Sequence, residues 1–136
     1  MIRPINTAQQ TLRIKATAAT KADKNVVIDL LDTLKFHQDH CVGMAANMIG
    51  VNKSIIVCQL GAFPVAMINP KIISKRQPYQ TTEGCLSLPG ERSTTRYQSI
   101  AVEYIDQNFE PQKREFSDFF AQIIQHEVDH CNGILI

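Results

Sequence analysis

Near the end of the chain His126, Glu127 and His130 fall within the run Gln-His-Glu-Val-Asp-His (Gln125 to His130). Histidines four apart on a helix project from the same side, one turn above the other. Two neutral ring nitrogens placed in this way can close on a single metal ion. Glu127 beside them is of the right type for a general base toward water in such a site. A polar helix face can spell the pattern by chance. Here, however, Phe119, Phe120, Ile123, Ile124 and Val128 make the segment strongly apolar, and burying unpaired imidazoles there is costly. The residues therefore point to a metal site.

Catalytic sites of this kind take three protein ligands and keep a fourth position open. Only six residues follow His130, so a glutamate from a distant downstream helix is not expected. Gly133 fits the short zinc-protease pattern, but Ile136 stands where that pattern puts its third histidine, and isoleucine cannot bind a metal. The third ligand is expected upstream, and Cys85 is the best candidate. It lies in Glu-Gly-Cys-Leu-Ser-Leu-Pro-Gly (Glu83 to Gly90), which reads as a strand ending at a tight turn. Cys58, among Ile55, Ile56 and Val57, reads as a buried structural thiol. Cys41 and Cys131 stay open as alternatives, although Cys131 is turned about 100° around the helix from His130. His37 and His40 read as partners of a helix C-terminus or as surface groups.

These residues need elements to hold them. Thr20 followed by Asp23 resembles a helix start, and Val27, Leu30, Leu31 and Leu34 then recur at helical spacing, giving a helix over 22–37. Its Lys21, Asp23, Lys24, Asp29 and Asp32 read as a solvated face. Short β-branched runs follow at 54–60, 64–68 and 71–75, separated by Gly61, Pro64 and Asn69-Pro70. Residues 97–106 alternate Ile100, Val102 and Tyr104 with polar neighbours as a half-buried strand, and 112–117 forms a further strand. Residues 118 to about 131 return to helix, with Asp118 placed to cap its start. The plan is α+β: small antiparallel sheets packed around a C-terminal helix, with a helix near the N-terminus.

A chain of 136 residues with 44% hydrophobic and 20% charged residues has enough apolar side chains for one buried core, which excludes a disordered chain. A single domain over 1–136 is expected, since no linker or repeat interrupts it. The net charge of +1 gives no electrostatic footprint for nucleic acid or an anionic membrane. The longest apolar stretch, 54–67, is shorter than the roughly 20 residues that span a bilayer. The N-terminal residues do not read as a secretory signal, so a cytoplasmic protein with free thiols is expected.

Three segments together resemble the signatures of the peptide deformylase family: Cys41 to Gly50 (CVGMAANMIG), Glu83 to Ser87 (EGCLS) and Gln125 to His130 (QHEVDH). Their order and spacing match, and the resemblance spans nearly the whole chain. It implies a metal-dependent hydrolase that removes the formyl group from the initiator methionine of nascent peptides. By resemblance Cys85, His126 and His130 hold one divalent ion, with iron(II) expected and zinc, nickel or cobalt accepted. One thiolate and two neutral imidazoles leave that ion a net charge of +1, enough to acidify a bound water. Glu127 would take the proton and pass it to the departing amine. The resemblance assigns the oxyanion to the ion, the Leu86 backbone N–H and a glutamine of the first signature. That glutamine is replaced by Met48, which has no hydrogen to donate. Loss of one such donor costs about 100- to 1,000-fold in rate. Asn47 could offer an amide only if its loop rotates.

For the substrate, the backbones of Val42 and Gly43 would pair with the peptide as an added strand. Phe119 and Ile123, seven and three residues before His126, share its face and could line an apolar methionine pocket. Glu83 would pair with Arg96. Other departures are Cys41 in place of the first glycine, Phe109 and Asp118 near positions where glycines are common, and an end at Ile136 where relatives usually continue. The expected partners are N-formylmethionyl peptides, including ribosome-associated nascent chains, with no nucleic acid and no membrane. Two other readings were compatible with the residues: a deformylase-like relative of weak or no activity that binds metal or peptide, and a general HExxH endopeptidase.

Overall fold

Ile55–Leu60 (β2) sends Ile56 and Cys58 into one apolar cluster and Ile55 and Val57 into another, all four fully buried. A strand apolar on both sides must be covered on both sides, and this requirement organises the molecule. In the computed structural model, which describes residues 1–135, helix α2 (Lys24–Phe36) covers one side and α3 (Asp118–Cys131) the other. The remaining elements are a short α1 (Gln9–Leu12), β1 (Gly43–Ala45), β3 (Phe63–Cys85), β4 (Leu88–Ile105) and β5 (Pro111–Ser117). The strands form one five-stranded antiparallel sheet in the order β1-β2-β3-β4-β5. The architecture is the α+β arrangement expected, built around the C-terminal helix.

The start of α2 follows its sequence signal. Thr20 accepts from the Ala22 N–H, the Thr20 N–H donates to Asp23 at 2.9 Å, and a 3-10 turn (Lys21–Asp23) leads into the helix. Asp29 departs from the expected solvated face. It is buried, because residues near the N-terminus fold back over α2 and Arg3 Nε donates to it at 2.9 Å. The short α1 was not legible, being too brief for periodicity to register.

Asn69-Pro70 does not break the strand, contrary to expectation. Asn69 adopts a left-handed conformation (φ 52°), the register shifts between Ile68 and Lys71, and β3 continues for 23 residues. The Asn69 side chain accepts from Ala19 N–H (2.8 Å) and donates to Ala19 C=O (3.0 Å), so the irregular backbone is fastened to the segment before α2. At its far end β3 stops at Cys85, which pairs with Leu88 across a turn made by Leu86 and Ser87.

Helix α3 does not begin as expected either. Asp118 has φ 56° and makes no cap; Ser117 occupies the flanking position, also without a side-chain cap bond. Phe119 and Phe120 do not join the buried face, being 57% and 40% exposed, whereas Ile123, Ile124 and Val128 do. The helix ends in a Schellman motif: Ile134 N–H reaches Asp129 C=O (2.9 Å) and Gly133 N–H reaches His130 C=O (3.1 Å). Gly133 (φ 73°) is thus a helix stop. Ile136, the residue that rules out the short protease pattern, lies outside the described residues. Among the described residues no helix is long and apolar enough to cross a membrane.

Candidate metal centre

His126 and His130 occupy consecutive turns of α3, their ring centroids 5.3 Å apart. The β3–β4 turn brings Cys85 to them, with Sγ 3.2 Å from His130 Nε2. Ligand atoms of Cys85, His126 and His130 all lie within 4.8 Å of one another. Two donors bound to one tetrahedral ion, sulfur near 2.3 Å and nitrogen near 2.0 Å, sit about 3.5 Å apart, so this spacing fits a first-row divalent cation. Cys41, Cys58, Cys131, His37 and His40 are not in that cluster. Burial pushes Cys58 well above its ordinary value and Cys131 up to about 12, so both are neutral core thiols.

The outer partners are laid out asymmetrically. The Glu83 carboxylate accepts from His126 Nδ1 at 2.8 Å, so Nδ1 carries a proton and only Nε2 can turn to a cation. Arg96 grips the same carboxylate with Nη2 on Oε1 (2.7 Å) and Nε on Oε2 (3.0 Å), while its Nη1 reaches Asp129 (2.7 Å). Both members of the Glu83–Arg96 pair are buried, so it is not a surface ion pair. Burial opposes charge on Glu83, but hydrogen bonds from His126, Arg96 and Gln122 hold it down at about 2. Burial also opposes charge on His126, yet Cys85 and Glu83 outweigh it and raise the ring to about 10. Burial and the neighbouring His126 lower His130 to about 4, and its Nδ1 has no partner.

Glu127 is buried, and its Oε1 has no hydrogen-bond partner. Burial raises it to about 7, with Glu83 adding to the rise. It packs against Gly43, where a Cβ would come 2.8 Å from Glu127 Oε2. Gln125 secures the helix by bonding both backbone groups of Tyr97, each at 2.9 Å.

A pocket of about 550 Å³ opens on this cluster, its walls including Val42, Gly43, Met48, Cys85, Leu86, Phe119, Ile123, His126 and Glu127. The two candidate strand-pairing residues differ. Gln59 N–H donates to Val42 C=O (2.7 Å), so that carbonyl already serves β2. This bond makes Gly43 and Cys58 a non-hydrogen-bonded pair, which turns the Gly43 backbone groups toward the open edge of the sheet. Cys41 lines the pocket too, its thiol 3.2 Å from Gly43 C=O and raised by burial to about 11. Met48 is 1% exposed, with Sδ 3.5 Å from Ala45 N. Asn47 does not substitute for a pocket amide: its Nδ2 donates to His130 C=O (2.9 Å), away from the cavity.

Sequence reasoning missed Gln122, Asp129 and His40. Gln122 and His40 line the pocket, and Asp129 completes the Arg96 clamp. The helical spacing of Gln122 and Asp129 around the histidines was the available signal; nothing in the sequence brought His40 to the rim.

A strand-borne thiol meeting two imidazoles and a buried carboxylate of one helix, beneath an apolar pocket, defines a metal-dependent hydrolase. Residues 2–136 match the sequence profile of the family described as polypeptide deformylase. The chain is 53% identical to a peptide deformylase of Clostridium beijerinckii over 136 residues, covering 100% of both. It is 37% identical to peptide deformylase 2 of Vibrio cholerae over 130 residues, 91% of this chain and 77% of that one. The crystal structure of peptide deformylase from Thermotoga maritima superposes with a TM-score of 0.89 at 31% identity, covering 99% of this chain and 95% of that one. The chain belongs to the polypeptide deformylase family and is a metal-dependent hydrolase that removes the formyl group from formylated peptides.

Proposed function

We propose that Cys85, His126 and His130 hold one divalent cation, iron(II) by resemblance, and that the chain acts on formylmethionyl nascent peptides in the cytoplasm. The observation that carries this reading is the meeting of those three donors at a pocket lined by Cys85, His126 and the buried Glu127. A divalent ion at such a site supplies Lewis acidity toward the formyl oxygen and toward water.

The chain's own residues do the rest. The Gly43 backbone aligns the peptide along the open edge of β1, and the apolar wall of Phe119 and Ile123 takes the methionine side chain. Water adds its oxygen to the formyl carbon. Glu127, raised to about 7 by burial, accepts the water's proton and returns it to the α-nitrogen as the C–N bond breaks, releasing formate and a free amine. The Leu86 N–H stabilises the developing oxyanion. Glu83, Arg96 and Asp129 orient His126.

Met48 favours a second reading of the rate, a slow deformylase, because its thioether brings no donor to the pocket. The test is anaerobic hydrolysis of a formyl-Met-Ala peptide by iron-loaded protein. Glu127→Ala is expected to lose at least about 100-fold in kcat, and Cys85→Ser to weaken metal affinity. An unchanged rate in the first variant removes the base assignment, and unchanged affinity in the second removes the thiolate ligand.

A further inference from the structure

The pocket wall on α3 carries one amide between two hydrocarbon side chains. Gln122 stands one turn before His126 on the same side of the helix and lines the cavity with Phe119 and Ile123. Its Nε2 donates to Glu83 Oε2 at 2.9 Å. The other oxygen of that carboxylate, Oε1, takes His126 Nδ1 at 2.8 Å. Gln122 and His126 therefore hold opposite oxygens of one carboxylate. Among the described residues the only other donor to Glu83 is the Arg96 fork.

We propose that Gln122 is a positioning residue for the metal centre: by pinning Oε2 of Glu83 it fixes the Oε1–Nδ1 bond that orients His126. The reasoning is geometric. The Arg96 fork grips the carboxylate with nitrogens of one guanidinium plane, so rotation of the carboxylate relative to that plane is resisted chiefly by a donor from another element. Gln122 is that donor, and it comes from the helix that carries His126. With the amide removed, Oε2 keeps a single bond at 3.0 Å, the carboxylate gains freedom, and the His126 ring follows it. A side chain that only walled the methionine pocket would affect substrate binding and leave the ligand geometry alone.

This inference rests on the ligand set proposed above. Its test is cobalt(II) binding without substrate, by competition with a chromophoric chelator, for native protein, Gln122→Met and Gln122→Glu. Removing a direct partner of a metal-bound histidine costs about 10- to 100-fold in affinity, and Gln122 acts one bond further out. Gln122→Met is therefore expected to raise the cobalt dissociation constant about 3- to 10-fold and to shift the visible ligand-field bands, with the metal-free protein still folded by circular dichroism. Gln122→Glu, nearly isosteric but placing a like charge against Glu83, is expected to lose more. Native affinity and native bands in both variants, even with an altered KM, overturn the proposal and leave Gln122 a pocket wall. Native protein that binds no cobalt overturns the ligand set as well. In the native zinc-loaded protein, the Nδ1 proton of His126 is expected as a resolved downfield resonance, and its absence by exchange also counts against the proposal.

Discussion

Glu127, Gly43 and Met48 all line the pocket, and the glycine and the carboxylate constrain each other. A Cβ at residue 43 would stand 2.8 Å from Glu127 Oε2 and 3.0 Å from Ile123, so the glycine is a clearance for the carboxylate. Gly43→Ala is expected to displace Glu127 and lower kcat by about 10-fold or more, since small misplacements of a catalytic group cost about 100-fold. A β-strand accepts alanine, so circular dichroism should show a folded protein; an unchanged kcat would show that the base tolerates the shift. Met48 is close in length to glutamine and already lines the cavity. Met48→Gln restores a donor worth about 100- to 1,000-fold in related oxyanion sites, so kcat is expected to rise with little change in KM. No rise would mean that the oxyanion is already served by other groups.

Helix α3 and the β3–β4 turn carry the three proposed ligands, and the ends of these elements are where their placement is vulnerable. The last turn of α3 holds His130 three residues before the Gly133 stop. Gly133 combines φ 73° with a virtual Cβ 2.3 Å from the Arg13 carbonyl, so no other residue fits without moving backbone. Gly133→Ala is expected to destabilise the fold by about 2 kcal/mol or more, read as a lower urea midpoint, and to weaken metal binding as His130 shifts. A midpoint equal to native would mean that the α1 end gives way freely. At the other end of the helix Asp118 (φ 56°), and in the β4–β5 turn Phe109 (φ 61°), occupy left-handed conformations that glycine adopts without strain. The glycines expected near these places are absent, yet the turns keep the shape that favours them.

At the scale of the molecule the site is a junction. Cys85 arrives on the sheet, and the histidines arrive on the helix that covers it, so a cation held by the proposed ligands would tie two parts of the core together. Such an ion binds the folded chain far better than the unfolded one. Cobalt at 100 times its dissociation constant is expected to add about 2.7 kcal/mol to unfolding stability. Urea titrations with and without cobalt measure it, and Cys85→Ser should lose most of the gain. A gain retained in that variant would place the ion elsewhere.

The sequence by itself determined the histidine pair with its glutamate, the continuous apolar run of β2, the alternation in β4, and the helix start at Thr20. These are signals carried by residues a few positions apart, where periodicity and capping act locally. The resemblance to the family's first signature marks Met48 as the place of an absent donor, and that a thioether has no hydrogen to give is independent of fold. Only the tertiary structure decided that Cys85, rather than Cys41, Cys58 or Cys131, meets the histidines. It likewise decided that Glu83 and Arg96 are buried together, that Val42 spends its carbonyl on β2, and that Gln122 reaches Glu83. Each of these depends on two segments separated by at least 13 positions being brought into contact, as in the pairing of Arg96 with Glu83. Such pairings follow from how the strands register and how the helix docks, and a thiol or an amide has the same local signature whether it ends in the core or at a metal.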